Sequence, residues 1–235
     1  WFGFNAAKIS SAAEGNSLSL ISNILVNTNL SVSAATVGTI IITWFRYKKP
    51  DISMSLSGTL AGLVAISAGC DTVSPAGAVV IGFIASIVVV FGIEYIDKAL
   101  KIDDPVGSIG VHGFCGALGT LLVGLFAVNG GLFYGGGVQL LLIQALGVLS
   151  VAIWTSVAML VIFGFIKKTV GLRVSTEDEI EGLDISAHGL ISSYADFMPA
   201  NISFANSEIK NTDTTTTIAY NPAKKVFEPS APSPK

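Results

Sequence analysis

Residues 105–166 contain no Asp, Glu, Lys or Arg. In a soluble domain about a quarter of residues are charged, so a charge-free run of that length constrains the fold more than any other feature. The pattern repeats earlier, where Asp71 is the only charged residue between Ile52 and Phe91. With 51% apolar and 12% charged residues and a mean hydropathy of +0.69, the chain reads as an all-α polytopic membrane protein. The net charge of −3 adds little, because most of the acids sit in the tail. No feature points to nucleic acid.

Five spans are expected, over residues 18–44, 54–70, 75–95, 105–127 and 137–166. As helices the fourth would rise roughly 34 Å and the fifth roughly 45 Å. Against a hydrocarbon core of about 30 Å, the fifth must tilt or protrude. Asp104 is placed to cap the fourth span with Pro105 at its first position, and Pro75 to open the third. Asn129, Gly130 and Gly131, then Gly135, Gly136 and Gly137, mark a turn before the fifth.

Basic residues set the orientation. Arg46, Lys48 and Lys49 follow the first span, Lys98 and Lys101 the third, and Lys167, Lys168 and Arg173 the fifth. The alternate loops, 71–74 and 128–136, hold no Lys or Arg. The basic segments and the tail are therefore expected in the cytoplasm, with Lys8 the one basic residue on the other side. Residues 1–17 are expected to be the end of a preceding helix and an extracellular loop. Residues 18–166 would form the membrane domain, 167–200 a cytoplasmic regulatory tail, and 201–235 a disordered terminus. Trp1 stands where a start Met would, so the chain reads as the later part of a longer one.

His112 lies deep in the fourth span. An ionisable side chain at that depth normally faces a protein interior or a water-filled path. It is read either as a structural histidine bonding a neighbouring helix or as part of a solute pathway, the membrane setting favouring the second. Gly107, Gly110, Gly113, Gly116 and Gly119 recur every third residue beside it. Residues three apart are neighbours on a helix, so these glycines predict a stripe where another backbone approaches closely. Close packing without a pathway explains that stripe equally well.

The first half of the first span is polar, with Ser22, Asn23, Asn27, Thr28, Asn29, Ser31 and Ser33. In lipid these groups need partners, which pore lining or bonding between helices would supply. Cys70 and Cys115 have neither zinc nor redox spacing and read as small packing residues. No metal site and no cofactor site is expected. In the tail, Ser175 to Asp178 matches a capping box, predicting a short helix over Thr176–Glu181. That segment either meets a soluble partner, docks under the membrane part, or is an ordinary solvated tail.

Five blocks in register resemble the ammonium transporter family (Amt/Mep/Rh), over about residues 1–197. They are WFGFN at 1–5, VNT at 26–28, LAGLVAISAGC at 60–70, DDPVGSIGVHGFCGALGT at 103–120 and GLRVSTEDEIEGLDISAHG at 171–189. The resemblance implies an eleven-helix fold of two inverted halves, of which this chain supplies the second, assembled as a homotrimer in the plasma membrane with one pore per subunit. It implies ammonium recruited outside at an aromatic vestibule and deprotonated, with ammonia and a proton moving inward past two histidines. His112 matches the second histidine, and Trp1 the tryptophan near the pore. Gly182, Asp184 and His188 fall in the block that resembles the regulatory tail, where a PII-type signal protein is the implied partner.

Two positions depart from the family pattern. WFGFN usually continues Ala-Gly-Ser, whereas here it continues Ala6, Ala7 and Lys8, putting a cation where the resemblance implies a recruiting serine. Ala187 stands before His188-Gly189, where the family often has Glu. Imidazole both accepts and donates a proton near neutral pH, and burial is expected to keep His112 uncharged. A narrow lumen without charged side chains would pass a small neutral amine and exclude hydrated metal ions. The leading reading is thus ammonium transport. The alternatives are an ammonium sensor of the same fold signalling through its tail, and a non-conducting fragment. No nucleophile–base pair, metal cluster or phosphate loop supports an enzyme.

Overall fold

A computed structural model of the chain describes residues 1–7, 17–181 and 183. All regular elements among them are helical: α1 (Phe2–Ala6), α2 (Ser17–Tyr47), α3 (Ile52–Ser67), α4 (Pro75–Glu94), α5 (Cys115–Phe126), α6 (Gln139–Thr169) and α7 (Thr176–Glu181). π-helical turns extend α4 over Tyr95–Leu100 and precede α5 over Ile109–Phe114. The chain divides into two compact units, Trp1–Phe165 and Ile166–Lys235.

Four helices are long and apolar enough to cross a membrane, over Leu18–Tyr47, Pro75–Leu100, Ile109–Phe126 and Gln139–Thr169. The second expected span differs. Its helix, α3, is 16 residues, about 24 Å, because the chain turns after Ser67 instead of continuing helically to Cys70. Caps set the boundaries. The Asp51 side chain accepts from Met54 N at 2.8 Å to start α3. Ser74 accepts from Gly77 N, with Pro75 in the first turn, to start α4 as expected.

The fourth span starts later than Pro105. Asp104 does cap it, but its two carboxylate oxygens accept from Ser108 N and Ile109 N, each at 2.8 Å. Pro105 and Gly107 lie in the turn before the helix, and Gly107 has φ +68, a left-handed conformation glycine adopts without penalty.

In the first unit α2 packs along both α3 and α4, and α5 lies on α3. Helix α2 meets both neighbours at Ser31. A Cβ on Gly82 would fall 2.2 Å from the Ser31 carbonyl oxygen, and one on Gly62 would fall 2.8 Å from the same atom. Small residues let these backbones meet where side-chain volume would separate them. Part of the polar half of α2 is spent inside this core. Asn27 Nδ2 donates to Cys70 O at 3.0 Å and Val73 O at 2.9 Å, and Ser31 Oγ donates to Gly62 O at 3.0 Å. Asn27, Thr28 and Ser31 are buried, whereas Ser22, Asn23, Asn29 and Ser33 are exposed. Interhelical bonding is what the buried group does.

The loops sort into two sets. Val128 N donates to Thr72 O at 2.9 Å, and the Ser74 and Tyr134 hydroxyls are 3.1 Å apart. The two loops without Lys or Arg are thereby joined. At the other end Arg46 Nε and Nη2 pair with the Glu94 carboxylate at 2.8 and 2.5 Å. Tyr47 donates to the same group, Lys98 lies 3.4 Å from it, and the Arg46 guanidinium sits 5.1 Å over the Phe91 ring. The basic ends of α2 and α4 therefore share a side, as the charge pattern requires.

In the second unit, the Ser175 hydroxyl accepts from Asp178 N at 3.1 Å and donates to its carboxylate at 2.7 Å. This caps α7 over the residues the sequence indicates, and Arg173 pairs with Glu179.

Candidate functional site on the open face of α1, α3 and α5

The site begins with a buried amide. Asn5 is fully buried and its Nδ2 donates to Thr28 Oγ1 at 3.0 Å, fastening the short helix α1 to α2. With Asn5 turned inward, Trp1 is left at the surface, 44% exposed. Trp1 Nε1 donates to Ser67 Oγ at 2.7 Å, and the Ser67 hydroxyl donates to Leu63 O at 2.7 Å. The indole stacks on His112, with ring centroids 6.3 Å apart and planes at 21°. Phe4 extends the cluster, its ring 6.1 Å from that of Trp1.

His112 is exposed, contrary to the expectation of a ring buried within this chain. The wide turn over Ile109–Phe114 accounts for it. A π turn bonds i to i+5 and so shifts the helical register. Gly110 and Val111 turn into the core while His112 and Gly113 stay on the surface. Among the described residues neither imidazole nitrogen has a hydrogen-bond partner within the chain. The ring is held by stacking and leaves both nitrogens open.

The glycines do not form the single stripe their spacing suggests, because Gly107 precedes the helix and the π turn breaks the period. Cβ atoms at Gly107 and Gly110 would each fall 2.6 Å from the Ile93 side chain of α4. At Gly119 a Cβ would fall 2.2 Å from the Ala65 carbonyl oxygen of α3. Gly113 and Gly116 are looser, with nearest neighbours at 3.8 and 3.6 Å. Two helices are thus received at two heights, and the part beside His112 stays open.

Lys8, Gly182, Asp184 and His188 lie outside the described residues. Ser67, Asn5 and Glu94 were not singled out from the sequence. Glu94 was legible in principle, as an acid closing an apolar span opposite Arg46. A serine at the end of α3 gave no such signal.

The family model described as "Ammonium Transporter Family" matches residues 1–192. The chain belongs to this family of membrane transporters. It is 38% identical over 210 residues to "Ammonium transporter Amt2" of Archaeoglobus fulgidus, covering 84% of this chain and 43% of that protein. It is 37% identical over 194 residues to "Ammonium transporter" of Aquifex aeolicus, covering 80% and 44%. Among solved structures it superposes on a "Sensor Amt Protein" with a TM-score of 0.72 at 37% identity, covering 80% of this chain and 46% of the other. The likeness extends to a Mep2 mutant from Candida albicans, with a TM-score of 0.63 at 26% identity, covering 72% and 44%. The chain therefore spans somewhat under half the length of these curated relatives. Its helices resemble the Amt/Mep fold.

Proposed function

We propose that the complete protein carries ammonium across the plasma membrane and that this chain forms one wall of its pore. The observation that carries the reading is the Trp1–His112 pair, stacked on an open face with both imidazole nitrogens unbonded within the chain. A cation entering an apolar lumen loses its hydration, a large unfavourable term. Releasing the proton removes that term. The neutral amine then passes along the apolar wall while an imidazole, able to take and give a proton near neutral pH, handles the proton. In this reading the missing cover over His112 is the other half of an inverted-repeat fold of eleven helices, to which this chain contributes five. Its trimeric assembly, cytoplasmic tail and contact of Gly182, Asp184 and His188 with a PII-type protein belong to the same proposal. Lys8 would weaken recruitment unless its ammonium reaches past the lipid interface to water.

A second reading, ammonium sensing through the tail, is supported by the likeness to a protein described as a sensor. Uptake of labelled methylammonium by cells lacking their own transporters separates the two. Saturable uptake with the complete protein supports transport. A surface-expressed protein that moves no label while still binding ammonium would overturn it in favour of sensing.

A further inference from the structure

We propose that Ser67 is a positioning residue: through its hydrogen bond to the Trp1 indole it fixes the plane on which His112 stacks. The inference rests on the conduction reading above and adds a residue to it. In the covered lumen that the conduction reading implies, a tryptophan N–H needs an acceptor within the protein. Ser67 Oγ is that acceptor at 2.7 Å. Its own proton goes to Leu63 O at 2.7 Å, and the same oxygen accepts from the indole. The series Leu63 C=O, Ser67 O–H, Trp1 N–H is aligned so that each bond polarises the next. Ser67 is the last residue of α3, a firm base because α3 is packed against α2, α4 and α5. Among the described residues no hydrogen bond within the chain holds the imidazole. The orientation of its nitrogens therefore follows from the stacked indole, and the indole's from Ser67. Ser67 acts through Trp1 and need not touch the solute.

The test uses the complete protein in membranes, with Ser67→Ala, the near-isosteric weak acceptor Ser67→Cys, and Ser67→Thr, which keeps the hydroxyl. Maximal methylammonium uptake in Ser67→Ala should fall roughly tenfold, equivalent to about 1.4 kcal/mol, with KM changed less than about twofold. The Trp1 indole band in the ultraviolet resonance Raman spectrum, isolated by subtracting Trp1→Phe, should move to the position of an unbonded N–H. Ser67→Thr should restore band and rate, and Ser67→Cys should fall between. An unmoved indole band in Ser67→Ala, or in Ser67→Cys if the alanine variant does not fold, overturns the proposal. So does a shifted band with unchanged uptake. Loss of uptake in His112→Ala alongside an unaffected Ser67→Ala removes only the positioning role. Full uptake in His112→Ala removes the conduction reading itself.

Discussion

Helices α2 and α6 are each 31 residues long, yet they solve opposite problems. Along its most apolar stretch α2 is 39% buried, whereas the more apolar α6 is 0% buried. Of these two, the more polar helix is partly buried and the more apolar one is exposed. In water that order would be perverse. In lipid it lets polar side chains find their partners within the protein. Where α2 faces protein it can carry Asn27, Thr28 and Ser31, because neighbouring backbones and the Asn5 side chain supply their partners. A helix facing hydrocarbon must be largely apolar, and α6 presents Leu146, Ile153 and Leu160 at two-turn intervals, with Trp154 beside them, each more than half exposed.

The contrast ranks what mutations should do. Gly82→Val forces two methyls and a Cβ into the space of the Ser31 carbonyl. It should cost about 3 kcal/mol or more and abolish the folded peak in fluorescence-detected size exclusion. Ile24, fully buried on α2, should lose roughly 2–5 kcal/mol on truncation to Ala, read as a large drop in melting temperature in detergent. Asn27→Ala removes two bonds to the turn between α3 and α4 and should cost about 1–3 kcal/mol. Leu160→Ala on α6, where the side chain is 76% exposed, should stay within about 0.5 kcal/mol. If Leu160→Ala destabilised as much as Ile24→Ala, α6 would be covered in the complete protein as thoroughly as α2 is here, and the contrast would hold for this chain alone.

How much of this was legible in the sequence follows the same division. The helix start at Pro75 and the Ser175 capping box report local chemistry, and each stands where the sequence places it. The pairing of basic ends through Arg46 and Glu94 was legible as a side, not as a contact. Three features were not legible, because they depend on tertiary geometry. The π turn before α5 shifts register without any residue that announces it, and that shift turns His112 outward and splits the glycine series between Ile93 and Ala65. The end of α3 at Ser67 is masked by apolar sequence running on to Cys70. The Trp1–Ser67 bond joins residues 66 positions apart, a pairing that no periodicity encodes.

In the proposed function the imidazole exposed on this chain borders the path of ammonium. The most direct test is methylammonium uptake by the complete protein with His112→Ala, at matched surface expression, in cells without their own ammonium transporters. The account predicts that uptake or its selectivity for ammonium over potassium is lost. Wild-type uptake with wild-type selectivity would contradict it.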